Sequence, residues 1–109
     1  LSLHDALPIY VYRSFHTDKA FIGIGGISIE NGLTEYNIED SEIKKILLQN
    51  AREKIVVADS TKFGETTFNT VSPLEAVDII ITDSQAPPDI VSAIENLGVK
   101  VILADLETG

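Results

Sequence analysis

Four short runs rich in β-branched residues, each closed by glycine or aspartate, constrain this chain more than any other feature: KAFIGIGG (19–26), KIVVAD (54–59), DIIITD (78–83) and VKVILAD (99–105). Continuous Val/Ile runs of this length are the pattern of strands buried on both faces, the signature of a parallel sheet. Between the first two runs, EDSEIKKILLQNARE (39–53) places Ile43, Ile46, Leu47 and Ala51 on one face at helical spacing, with acids in the first turn and Arg52 in the last. Between the last two, PPDIVSAIENLG (87–98) has prolines at a helix start and glycine just past its end, with Ile90, Val91, Ile94 and Leu97 predicted to face inward. Residues 60–77 are looser, with one helical turn expected at PLEAV. Strand and helix alternating in this way predict an α/β fold, a parallel sheet flanked by helices and joined by right-handed crossovers.

The chain has 109 residues, 44% of them hydrophobic, which suffices for one modest core and so for a single domain or part of one. Seventeen acidic residues against eight basic ones give a net charge of -9, and no cluster of Lys and Arg could neutralise a run of phosphates, so this chain alone is not expected to bind DNA. No apolar stretch reaches the roughly 18 residues that span a bilayer, and no basic segment followed by an apolar one reads as a signal peptide. No membrane role is expected, and the default location is cytoplasmic. Without cysteine there are no disulfides or thiolate metal sites, and His4 and His16 have no ligand spacing, so both read as surface histidines and no metal or cofactor is expected. The opening LSLHDALPI has neither strand alternation nor helical period. It reads either as a segment foreign to the domain or as a frayed tail, within an N-terminal stretch of residues 1–17 that precedes the regular pattern.

In open parallel sheets, ligands bind beyond the carboxyl ends of the strands. Three of the four runs end there in aspartate, Asp59, Asp83 and Asp105, and the other ends in Gly23, Gly25 and Gly26. Lys62 follows three residues after Asp59 and is the last basic residue before Lys100. Its ammonium can pair with a ligand phosphate as a point charge, or it can offset the repulsion of Asp59 and Asp83. The glycines allow close approach of backbone to a ligand, but GIGGI is not the spaced G-x-G-x-x-G fingerprint, and a tight post-strand turn accounts for it equally. Each aspartate can act as a base, bind sugar hydroxyls, or simply cap a turn; taken singly they read as caps, and the three together as a polar crevice.

The residues DKAFIGIGGIS, ENGLTEYNIEDSEIKK, VVADSTKFG with a following TF, and VDIIITD with APP just after it resemble, in order and spacing, the sugar-phosphate-sensing C-terminal domain of DeoR-family transcriptional repressors. The resemblance covers residues 18 to about 105, and no one motif carries it. It implies a fold like that of ribose-5-phosphate isomerase, glucosamine-6-phosphate deaminase and the CoA-transferases, with the catalytic machinery given over to sensing. It implies a phosphorylated sugar or related metabolite as ligand and DNA contact only through a separate N-terminal winged helix-turn-helix. Position by position, the Gly23, Gly25, Gly26 turn, Thr34 and Glu35 beside Gly32 and Leu33, the DSTK run from Asp59 to Lys62, and Asp83 match family motifs that border the ligand crevice, and on this reading Lys62 is a crevice lysine.

The family's helix-turn-helix has no counterpart here, and neither does the first part of its sensor domain, whose early strand and glycine-threonine loop help hold the phosphate. Residues 18–109 therefore resemble the C-terminal part of an incomplete sensor domain. Its crevice would lack a wall, and its sheet would expose an unpaired edge and an apolar face, so the isolated chain is expected to be marginally stable or a homo-oligomer. The competing reading is an isomerase- or deaminase-like enzyme fragment using Asp59 or Asp83 as base. Those isomerases carry an acidic run in a comparable glycine turn, whereas no carboxylate stands between Gly23 and Ser28 here, which favours sensing over turnover. A third reading, a plain oligomerisation module, leaves Lys62 idle.

Overall fold

A computed structural model describes residues 9–104 of the chain. The elements run in the order α1 (Ile9–Tyr12), β1 (Thr17–Ile22), β2 (Gly26–Ser28), β3 (Gly32–Glu35), α2 (Ile38–Gln49), β4 (Ala51–Val57), a 3-10 turn (Ser60–Lys62), β5 (Asn69–Ser72), a second 3-10 turn (Leu74–Ala76), β6 (Ile79–Asp83), α3 (Pro88–Asn96) and β7 (Lys100–Ala104). The four runs singled out in the sequence build one four-stranded, all-parallel sheet in the order β1-β4-β6-β7. The α/β architecture is as expected, including the turn within PLEAV.

Several boundaries differ from the sequence expectation. The first run does not stay one strand: β1 stops at Ile22, and after the turn Gly23–Gly25 the chain starts β2 in a different sheet. This small antiparallel sheet, in the order β2-β3-β5, was not foreseen, because its strands are only three or four residues long and carry no clear alternation. The helix expected over 39–53 ends at Gln49, so Ala51 and Arg52 begin β4 instead of closing the last helical turn. Asn37 starts that helix, its side chain accepting from the Asp40 amide at 2.8 Å, with Glu39 and Asp40 in the first turn as predicted. On α3, Pro88 occupies the first turn and Gly98, at φ +91°, follows the helix, but Leu97 is exposed where an inward position was expected.

The core lies on one side of the parallel sheet. Ile22, Val56 and Ile80, in register across β1, β4 and β6, meet Ile27, Leu33 and Val71 of the small sheet, Leu48 of α2 and Ile94 of α3 in a single apolar cluster. A second, smaller cluster ties Tyr12 of α1 to Ile43 and Ile46 of α2. The expectation of strands buried on both faces holds for one face only. On the other, Phe21 is 60% exposed, Val57 47% and Ile102 37%, while Ile55 between them is buried. The strand order explains this: each crossover advances the sheet in the same direction, and right-handed crossovers that never reverse stack all their connections on one face.

Candidate functional site

The carboxyl ends of β4 and β6 open onto a crevice of ≈ 390 Å³, within the size range of small-molecule sites. Gly23, Ala58, Asp59, Lys62, Thr82, Asp83 and Ala104 line it, over a floor of Ile24, Val57 and Ile81. The chemistry at its rim comes from how the chain leaves β4. Asp59 caps the 3-10 turn, its Oδ1 accepting from the Thr61 amide at 2.9 Å and from the Thr61 hydroxyl. Phe63, immediately after the turn, plugs into the core, and the Gly64 amide donates to the Ile27 carbonyl at 2.7 Å. Asp83 secures the turn from the neighbouring strand end, with Oδ2 accepting from the Ser60 amide and Oδ1 from the Gln85 amide, both at 2.8 Å. Lys62 is thus carried on a short turn pinned at three places.

The hydrogen bonds set the electrostatics. Those from Thr61 hold the Asp59 carboxyl below the usual aspartate range, with Lys62 helping and Asp83 opposing. The Ser60 and Gln85 amides do the same for Asp83. Lys62 is close enough to influence Asp59, yet among the described residues its ammonium forms no ion pair. The cap reading of Asp59 and Asp83 is therefore realised in the geometry, and the charge-offset reading of Lys62 is at most a long-range effect. Asp59 Oδ2 accepts from no donor among the described residues, and Asp59 lines the crevice together with the lysine.

Of the residues singled out in the sequence, the fold brings Gly23, Asp59, Lys62 and Asp83 together at this crevice. It places Gly26, Thr34 and Glu35 in the small sheet and Gly25 in the turn leading into it, the Gly25 amide donating to the Thr34 carbonyl at 3.1 Å, with their polar groups engaged by protein. The Thr34 hydroxyl accepts from the Thr67 amide at 2.9 Å. Glu35, almost fully buried, pairs with Lys44 of α2 and accepts from the Tyr36 amide. A methyl at Gly25 would meet Glu35 Oε1 at 2.9 Å, and one at Gly26 would collide with the Glu65 carbonyl and with Thr34 Oγ1, so these glycines serve close packing. Asp105 and His4 lie outside the described residues, and His16 is exposed. A neighbouring hollow shares Gly23 but is lined mainly by Phe21, Ile22, Ile43 and Leu47, and its lysine, Lys44, is already paired. Of the two hollows, only the crevice at the β4 and β6 ends carries a lysine that forms no ion pair among the described residues. Thr82 was not singled out in the sequence, although a lone hydroxyl inside DIIITD is a visible signal.

No group of His, Cys, Asp and Glu able to hold a metal ion occurs among the described residues, and no helix there is long and apolar enough to cross a membrane. Residues 1–84 match the family model described as the DeoR C terminal sensor domain. The chain is similar to the HTH-type transcriptional repressor GlcR of Bacillus subtilis, 34% identical over 98% of this chain and 41% of that protein. It is also similar to a putative aga operon transcriptional repressor of Escherichia coli, 30% identical over 84% of this chain and 34% of that protein. A third relative, the glycerol-3-phosphate regulon repressor of Escherichia coli, is 25% identical over 82% of this chain and 35% of its own length. The chain thus spans about two fifths or less of the length of these relatives.

Proposed function

Because this chain belongs to the DeoR C-terminal sensor domain family, we propose that it is effector-binding sequence of a transcriptional regulator, and that its crevice receives a phosphorylated sugar or a related polyol phosphate. The observation that carries the reading is Lys62, which lines a concave site from a pinned turn and whose ammonium forms no ion pair among the described residues. A point charge fixed in this way can pair with a phosphate without first breaking a protein ion pair. Asp59 Oδ2 supplies an acceptor for a ligand hydroxyl, which suits an anion carried on a polyol. The name of one relative, a glycerol-3-phosphate regulon repressor, agrees with a ligand of this class. Operator contact is assigned to the part of such regulators that this acidic chain does not span, and the effector acts by binding two states of the regulator with different affinity.

The geometry favours sensing over turnover. A general base works best with a pKa near the operating pH, and both crevice carboxyls are pushed the other way, Asp59 by the Thr61 hydroxyl and amide and Asp83 by the Ser60 and Gln85 amides. The test is calorimetric titration of the full-length protein with ribose 5-phosphate, fructose 6-phosphate and glycerol 3-phosphate, with and without Lys62→Ala. Binding of at least one of them, weakened by about 1.5–3 kcal/mol in the variant, is expected from loss of a charge-assisted contact. Conversion of a sugar phosphate to product, abolished by Asp59→Asn, would replace this reading by the enzymatic one.

A further inference from the structure

Thr82 occupies the fourth position of β6, one residue before Asp83, and its side chain points to the same face as Ile80, toward the core. It is only 4% exposed, yet its hydroxyl has no hydrogen-bond partner among the described residues. Buried hydroxyls in folded proteins are almost always paired, because leaving one without a partner forfeits its hydration with no return. Valine would fill the same volume, keep the β-branching that strands prefer, and match the isoleucines at positions 79, 80 and 81. Packing alone therefore gives no reason for the oxygen. The oxygen does, however, belong to a residue that lines the crevice together with Lys62 and Asp59. Among the described residues Thr67 has the other unpartnered buried hydroxyl, but it does not line the crevice.

We propose that Thr82 is a specificity-determining residue of the crevice, its Oγ1 exchanging a hydrogen bond with a hydroxyl group of the ligand whose phosphate pairs with Lys62. This inference rests on the crevice reading above and adds the contact that tells a polyol phosphate from a bare phosphate. The hydroxyl can donate and accept, so it serves any ligand carbon that carries an OH at that depth. Lys62 supplies the contact to the anion, and Thr82 the contact to a hydroxyl of the same ligand. A site built to pair with a hydroxyl rejects a ligand that lacks one, because its own polar group is then left unpartnered.

Thr82→Val and Thr82→Ser in the full-length protein test this by two independent measurements. In the absence of ligand, Thr82→Val should raise the thermal midpoint, since it removes an orphan hydroxyl without changing volume, while Thr82→Ser should lower it slightly. In calorimetry, Thr82→Val should weaken whichever of ribose 5-phosphate, fructose 6-phosphate and glycerol 3-phosphate the wild type binds, by roughly threefold to tenfold, the range of one neutral hydrogen bond. Thr82→Ser should recover most of that loss, and inorganic phosphate should bind wild type and Thr82→Val alike. A fall of several degrees in the ligand-free midpoint of Thr82→Val would show that the hydroxyl serves the fold and would overturn the assignment. Equal weakening of inorganic phosphate, or sugar-phosphate binding that depends on Lys62 but ignores Thr82, would overturn it while leaving the crevice reading intact. A wild type that binds none of the phosphorylated probes would remove both.

Discussion

Asp83 joins two strand ends through one carboxylate, and its acid behaviour follows from that. Its folded pKa is depressed, chiefly by the Ser60 amide and then by the Gln85 amide. The stability it contributes is therefore complete above the ordinary aspartate pKa and is lost as pH falls through the lower, folded value. The melting midpoint of the protein should fall as pH drops below the ordinary aspartate pKa of about 3.9, and less steeply in Asp83→Asn. The Glu35–Lys44 pair is a different case, because its value lies in not leaving Glu35 alone in the interior. Lys44→Ala should cost about 2 kcal/mol, below the figure for a fully buried pair because Lys44 keeps 23% exposure, and urea denaturation measures it. Gly26→Ala should cost about 3 kcal/mol by overpacking against Glu65 and Thr34, or prevent folding, with soluble yield as the first readout. Asp59, Lys62 and Asp83 were legible as crevice residues because each stands at or just past the end of a recognisable strand. Thr34 and Glu35 were not legible as packing residues, because their partners Thr67 and Lys44 are 33 and 9 positions away and nothing local announces the pairing.

Among the elements, α2 shows how far local signals reach. Asn37 caps it and also binds the Asp40 side chain, so Asn37→Ala should lower stability by about 1 kcal/mol, seen as a shift of the urea midpoint without a change in slope. Its N-terminus was readable from acids in the first turn, but its C-terminus was not. Ala51 keeps the apolar spacing of the helix, yet it pairs with Thr17 at the start of β4, and a strand partner outweighs a helical period. Asn50 makes the break, its side chain donating to the Tyr12 and Arg13 carbonyls at 3.2 Å. The small sheet escaped notice for a related reason: β2 and β3 are joined through Gly32 at φ +73°, and with three or four residues each they have too few positions to show a period.

For the molecule as a whole, the crossovers leave the β1-β4-β6-β7 sheet with a core on one face and Phe21, Val57 and Ile102 on the other. Parallel sheets are nearly always covered on both faces. The 109-residue chain alone is therefore expected to bury that face against itself at higher concentration, and its melting midpoint should rise with protein concentration over a hundredfold range. A concentration-independent midpoint would mean that the open face is tolerated. The parallel α/β class, the number of main strands and the end of the sheet that carries Asp59, Lys62 and Asp83 were all determined in the chain's own order of residues, because continuous Val/Ile runs and their terminal aspartates are local patterns. Which glycines pack and which line the crevice, the pairing of Glu35 with Lys44, the open sheet face and the unpartnered hydroxyl of Thr82 were decided only in three dimensions, because each depends on residues distant in sequence meeting across the fold.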